Sequence, residues 1–166
     1  MRIAPELYLK RLIVGGYEKV FERNRNFRNE GISTKHNPEF TMIEIYQAYA
    51  DYNTMMQLTE DIFENLAVKL IGSTDLPYGD ATISLKKPWK RVAYLESIKE
   101  ATGLDFEKFL GDENPSAAEA KKMATSIGLR AESLHTFWEV VDLVFSEKVE
   151  PFLIQPTIVM HYPKAI

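Results

Sequence analysis

Residues 40–46 read Phe-Thr-Met-Ile-Glu-Ile-Tyr, a run of β-branched and aromatic side chains with no glycine or proline. Such a run is built for a strand. A second extended run, Asn24-Arg25-Asn26-Phe27-Arg28, precedes it across ten residues, Asn29 to Pro38, that include Gly31, Lys35, His36 and Asn37. Two short extended runs around a long polar connection predict an antiparallel strand pair, over 20–28 and 39–49. Strand side chains alternate between faces. Thr41, Ile43 and Ile45 therefore share one face, the one expected to lie on helices. Phe40, Met42, Glu44 and Tyr46 share the other, and Asn26 and Arg28 join them if even positions pair with even. A guanidinium, a carboxylate, an amide and aromatic rings on one sheet surface fit a polar ligand site. They equally fit a solvated sheet face with a cross-strand ion pair.

Length and charge narrow the class. The 166 residues are enough for one domain with a core; 45% are apolar and 27% charged, a globular composition. A net charge of −4 argues against a dominant nucleic-acid surface within these residues. Without cysteine there is no disulfide framework and no thiolate metal site. No apolar run approaches membrane-spanning length, and Arg2, Glu6, Lys10 and Arg11 interrupt any leader-like stretch, so a cytoplasmic protein is expected.

The rest of the chain reads as helices around small strands, an α+β pattern. Pro5-Glu6 opens a helix that ends at Gly15-Gly16. A long helix is expected over 53–70, capped by Asn53, ended by Gly72, with Met55, Leu58, Ile62, Leu66 and Leu70 as a core stripe. A hairpin over 76–85 turns at Tyr78-Gly79-Asp80. A helix over 94–102 closes at Gly103, and Ser116 with Glu119 forms a capping box for the next. Ser133 is the expected cap of the last helix, which Pro151 stops, and 157–160 form a final strand. Lys121, Lys122 and Arg130 read as a solvated helix face rather than a binding patch.

RNFRNEG followed by HNPEFTMIEIYQAYADY resembles motif 2 of the class II aminoacyl-tRNA synthetases, in the form carried by the lysyl enzymes. FRNE alone is shared by several class II groups; HNPEFTMIE narrows it to the lysyl, aspartyl and asparaginyl ones. APELYLKRLIVGG upstream looks lysyl, and LIQPTIVMHYP extends a weaker likeness to near the end of the chain. Arg23 departs from the pattern, which has an apolar residue there.

The resemblance implies part of an antiparallel-sheet catalytic fold with flanking helices. Residues 1–88 would hold the motif 2 helix, strand pair, following helix and hairpin. Residues 89–152 would be the helical segment between motifs 2 and 3, and 153–166 the start of a returning core strand. It implies reaction of ATP with lysine to lysyl-adenylate and then transfer to tRNA-Lys. Arg28 would be catalytic, forking between the lysine carboxylate and the α-phosphate. Glu30 would accept from the adenine amino group and Phe40 would stack on adenine. His36, by itself a surface-loop histidine, and Asn37, by itself the start of a turn, would lie at the outer phosphates. Glu44, with Tyr46, would take the ε-ammonium; otherwise Glu44 is half of a salt bridge. Glu6, which alone complements its helix dipole, would take the α-amino group.

Also implied are magnesium, with ligands outside this chain, and a homodimeric full-length protein. Motif 1, motif 3 and an anticodon-binding domain would lie elsewhere, leaving these residues inactive alone, with open strand edges that invite self-association. Two other readings share the motif: a paralogue that attaches lysine to elongation factor P, and a non-catalytic domain on a synthetase-like fold.

Overall fold

The computed structural model describes residues 1–34 and 36–166; Lys35, counted in the connecting loop, lies outside the described residues. The chain forms two compact units, Met1–Met55 and Met56–Ile166, where length alone suggested one domain.

In the first unit, helix α1 (Glu6–Val14) packs on a ribbon of two antiparallel strands, β1 (Lys19–Phe27) and β2 (Glu39–Gln47). Pro5 takes the N-cap position of α1, one residue earlier than its fixed φ would favour, and is buried. The register pairs Asn26 with Phe40, Asn24 with Met42, Glu22 with Glu44 and Val20 with Tyr46, so even positions do meet even positions.

The covered face is the reverse of the one expected. Even positions of β1 and β2 are half-buried or buried, whereas Phe21 is 70% and Ile43 52% exposed on the odd face. On that even side the Arg2 guanidinium pairs with Glu22, while the Arg2 carbonyl accepts from the Phe27 N–H at 2.9 Å along the free edge of β1.

Helix α2 (Tyr52–Ile71) follows. Its cap is Asp51, not Asn53: the Thr54 N–H donates to Asp51 Oδ1 at 3.0 Å, and Asn53 donates its own amide to Asp51 Oδ2 at 2.9 Å. Those bonds hold the Asp51 carboxyl below the ordinary range. Gly72 ends the helix at φ +79°, where a residue with a Cβ would be strained.

The second unit holds the main core. Beyond the hairpin β3 (Asp75–Tyr78) and β4 (Ala81–Ser84), strand β5 (Lys90–Ala93) runs parallel to β6 (Thr157–Met160). Helices α3 (Tyr94–Thr102), α4 (Ala117–Ser126) and α5 (Phe137–Lys148) enclose Tyr94, Ile98, Phe106, Phe137, Val141 and Val144, all almost fully buried. The stripe expected on α2 is not part of that core. Its buried residues are Glu60 and Ala67, and Leu66 and Leu70 are exposed. Glu60 is buried because it is fully bonded: it accepts from the Trp89 N–H at 2.8 Å and from Arg91 Nη2 at 3.0 Å.

The last helix also starts later than expected. Thr136 is its cap, with the Glu139 N–H donating to Thr136 and Glu139 accepting back from the Thr136 N–H. Ser133 lies in the preceding turn, exposed, and caps nothing.

Candidate functional site

The β1–β2 pairing continues one step past the strands, with the Arg28 N–H donating to the Pro38 carbonyl at 2.9 Å. Arg28 thereby stays in phase with Asn26 and Asn24. Its guanidinium carbon lies 5.2 Å from the centroid of the Phe40 ring, so Arg28 and Phe40 occupy the same face. Beyond them the connection tightens into a turn in which Ser33 and His36 exchange backbone hydrogen bonds of 3.1 and 3.3 Å. The Ser33 hydroxyl also lies 2.9 Å from His36 Nδ1.

This end of the ribbon encloses an open recess of about 360 Å3. Arg28, Glu30, His36, Asn37 and Phe40 line it, together with Ser33 and Thr34, two loop residues that the sequence reading passed over. The residues expected around ATP are therefore neighbours. Glu6, Glu44 and Tyr46 are not among its lining residues.

Those three lie farther along the ribbon. Tyr46 donates its hydroxyl to Glu44 Oε2 at 2.9 Å. Partial burial, then that hydrogen bond and the Glu44 charge, and lastly the charge of Glu6, push the Tyr46 phenol up to about 12. Tyr46 thus stays a donor through any ordinary pH. Glu6 is close enough to be felt at Tyr46, but its carboxylate bonds Lys10 at 2.5 Å, one helical turn on. Arg28 and Glu44 share a face, and Met42 is the one β2 residue of that face between Phe40 and Glu44.

Two further polar residues belong to this surface by the period of two alone. Glu22 stands directly opposite Glu44. It accepts from Arg2 and, at 2.6 Å, from Asn24 Nδ2. Among the described residues no cation pairs with Glu44. Arg23, the departure from the family pattern, faces the other way, opposite Ile43, and is exposed.

Among the described residues no three His, Cys, Asp or Glu side chains come together as metal ligands. No helix among them is long and apolar enough to cross a membrane.

The whole chain, residues 1–166, matches the family described as tRNA synthetases class II (D, K and N). It is 55% identical over 163 residues to a lysine–tRNA ligase of Carboxydothermus hydrogenoformans, which covers 98% of this chain and 32% of the relative. A lysine–tRNA ligase of Pelotomaculum thermopropionicum is 55% identical over 168 residues, covering 100% and 32%. One of Prochlorococcus marinus is 49% identical over 163 residues, covering 98% and 32%. The chain spans about a third of the length of the curated relatives it matches. A match that runs from the first residue to the last, with the motif 2 residues on one sheet face, has one meaning: this chain belongs to the class II tRNA synthetases of the D, K and N group.

Proposed function

We propose that the even face of the β1–β2 ribbon is the ATP- and lysine-binding surface of a lysine–tRNA ligase. The observation that carries this reading is the contrast between the paired Glu22 and Glu44, which takes only a neutral hydroxyl and no cation among the described residues. A half-buried carboxylate of that kind is complementary to an ammonium group. A pocket around it rejects neutral side chains, because the anion would be left desolvated and unpaired.

Activation of lysine is attack by its carboxylate on the α-phosphorus of ATP, with pyrophosphate leaving. The task for protein side chains is to bring two anionic groups together and neutralise charge as it builds on the phosphate oxygens. Arg28 does both: one edge of its fork takes the carboxylate and the other the α-phosphate. Glu30 accepts from the adenine amino group, Phe40 gives adenine a ring to stack on, and His36 and Asn37 donate to the outer phosphates. Glu44 and Tyr46 hold the ε-ammonium and Glu6 the α-amino group. Transfer to tRNA-Lys, the homodimer and magnesium belong to the full-length protein, and the 166 residues alone do not turn over.

Binding tests this without turnover. Titrating the chain with lysine and with norleucine, in the presence of a non-hydrolysable ATP analogue, should show lysine preferred. Equal binding of the two would contradict the assignment of Glu44. Lysine-dependent pyrophosphate exchange by the chain alone, at the rate of a full-length ligase, would contradict its inactivity.

A further inference from the structure

The buried side-chain polar atoms that lack a hydrogen-bond partner are not scattered. Among the described residues they are Asn24 Oδ1, both amide atoms of Asn26, and Arg28 Nε. All belong to the even positions at one end of β1 and just beyond it. Asn26 is fully buried with neither its donor nor its acceptor satisfied. Unpaired buried amides are costly, and an apolar side chain would fill this position without that cost.

The open valences have an order. Arg28 offers a donor, Asn26 a donor and an acceptor, and Asn24 an acceptor, its own Nδ2 being committed to Glu22. Two acids, Glu22 and Glu44, come next. Over the roughly 13 Å of strand from residue 28 to residue 24 the surface changes from donor to acceptor. That polarity fits a zwitterion whose carboxylate points to Arg28 and whose ammonium groups point to the acids.

We propose that Asn26 is a substrate-binding residue that recognises the α-amino acid head group. Its Nδ2 donates to the carboxylate and its Oδ1 accepts from the α-ammonium. The inference rests on the reading of this face as the lysine site and adds the residue that demands an α-amino acid rather than a simple amine or acid. The Arg28 guanidinium lies over Phe40, the cross-strand partner of Asn26.

The side-chain resonances of Asn26 and Arg28 in 15N-labelled chain decide the matter. The chain is titrated with lysine plus α,β-methylene-ATP, the Asn26 signal being assigned from an Asn26→Gln variant. Shifts of the Asn26 NH2 pair that saturate together with Arg28 Nε support the proposal. A response of Arg28 without one at Asn26 overturns it and leaves the ATP–lysine reading standing. No response at either residue overturns both. As a second arm, Asn26→Leu should reduce the preference for lysine over 6-aminohexanoic acid, which lacks the α-amino group, by about ten-fold. An unchanged preference overturns the proposal.

Discussion

Glu22 and Glu44 are cross-strand partners: the two carboxylates leave the same face of the ribbon at the same level. Like charges so placed destabilise a strand pair unless a cation intervenes. Arg2 supplies one to Glu22, from the segment that precedes α1. Arg2→Ala should therefore loosen the ribbon. The pair is partly solvated, so the loss should stay below about 1 kcal/mol and shrink with added salt. Thermal melts of the variant at low and high ionic strength measure this. A loss that did not depend on salt would mean that Arg2 acts by packing alone.

Tyr46 should titrate late. An ordinary tyrosine ionises near pH 10. Tyr46, partly buried and bonded to Glu44, is pushed up to about 12. Folding favours the neutral phenol, so this contribution is complete below about pH 10 and is lost as pH rises toward 12. Tyrosinate absorbance near 295 nm, compared between the wild type and Tyr46→Phe, should lose a component in the late part of the curve. Loss of a component near pH 10 instead would mean that the bond to Glu44 is not maintained in solution.

Glu60 should hold part of the second unit together. Burial pushes its carboxyl up, but the Trp89 N–H and the Arg91 guanidinium outweigh burial and hold it below the usual range. The ionised form is favoured by folding. Its contribution is present above the unfolded value of about 4.3 and is lost as pH falls through the lower folded value. Glu60→Ala leaves two donors without their acceptor and should cost about 1–3 kcal/mol. Trp89, whose backbone is bonded to Glu60, makes fluorescence a direct readout in acid titration and denaturant melts. Identical acid transitions in wild type and variant would remove Glu60 from the account.

The cap of α5 offers a paired comparison. Thr136→Ala breaks a reciprocal capping box and should cost about 1 kcal/mol. Ser133→Ala, three residues earlier and exposed, should change stability by less than about 0.5 kcal/mol. Urea midpoints of the two variants check this, and the opposite order would mean that the helix starts where its sequence first suggests.

The readable parts of the chain are those set by local rules. The pairing of β1 with β2 follows from two extended runs around a polar connection, whereas alternation by itself leaves both the register and the covered face open; the ends of α2 and α3 follow from Gly72 and Gly103 in left-handed conformations. The motif 2 residues carry their own identity, so the candidate site could be named before any geometry. Where two residues of similar chemistry compete, sequence does not choose. Asp51 and Asn53 are both good caps, and so are Ser133 and Thr136; the bonds actually formed decide.

Long-range partners are the least legible. Nothing near Glu60 in sequence announces Arg91, 31 residues away. Strand β5 has four residues and no alternation to read, and it is defined by pairing with distant β6. An apolar stripe such as Leu58, Ile62 and Leu66 says that something apolar suits it, not that these residues provide it. Besides Asn26, the even face of β1 contains Glu22 and Asn24 by the same alternation that sorted β2, and following that period along both strands would have found these two.

The central claim is that Glu44 selects lysine by its charge while the Arg28 end of the same face holds the nucleotide. Calorimetric titration of wild type and Glu44→Gln with lysine, and separately with ATP, tests it most directly. We expect the variant to lose lysine affinity by about 100-fold or more, in line with the loss of one charged hydrogen-bonded partner, while ATP binds as before. Lysine binding undiminished in Glu44→Gln, or lost together with ATP binding, would contradict the account.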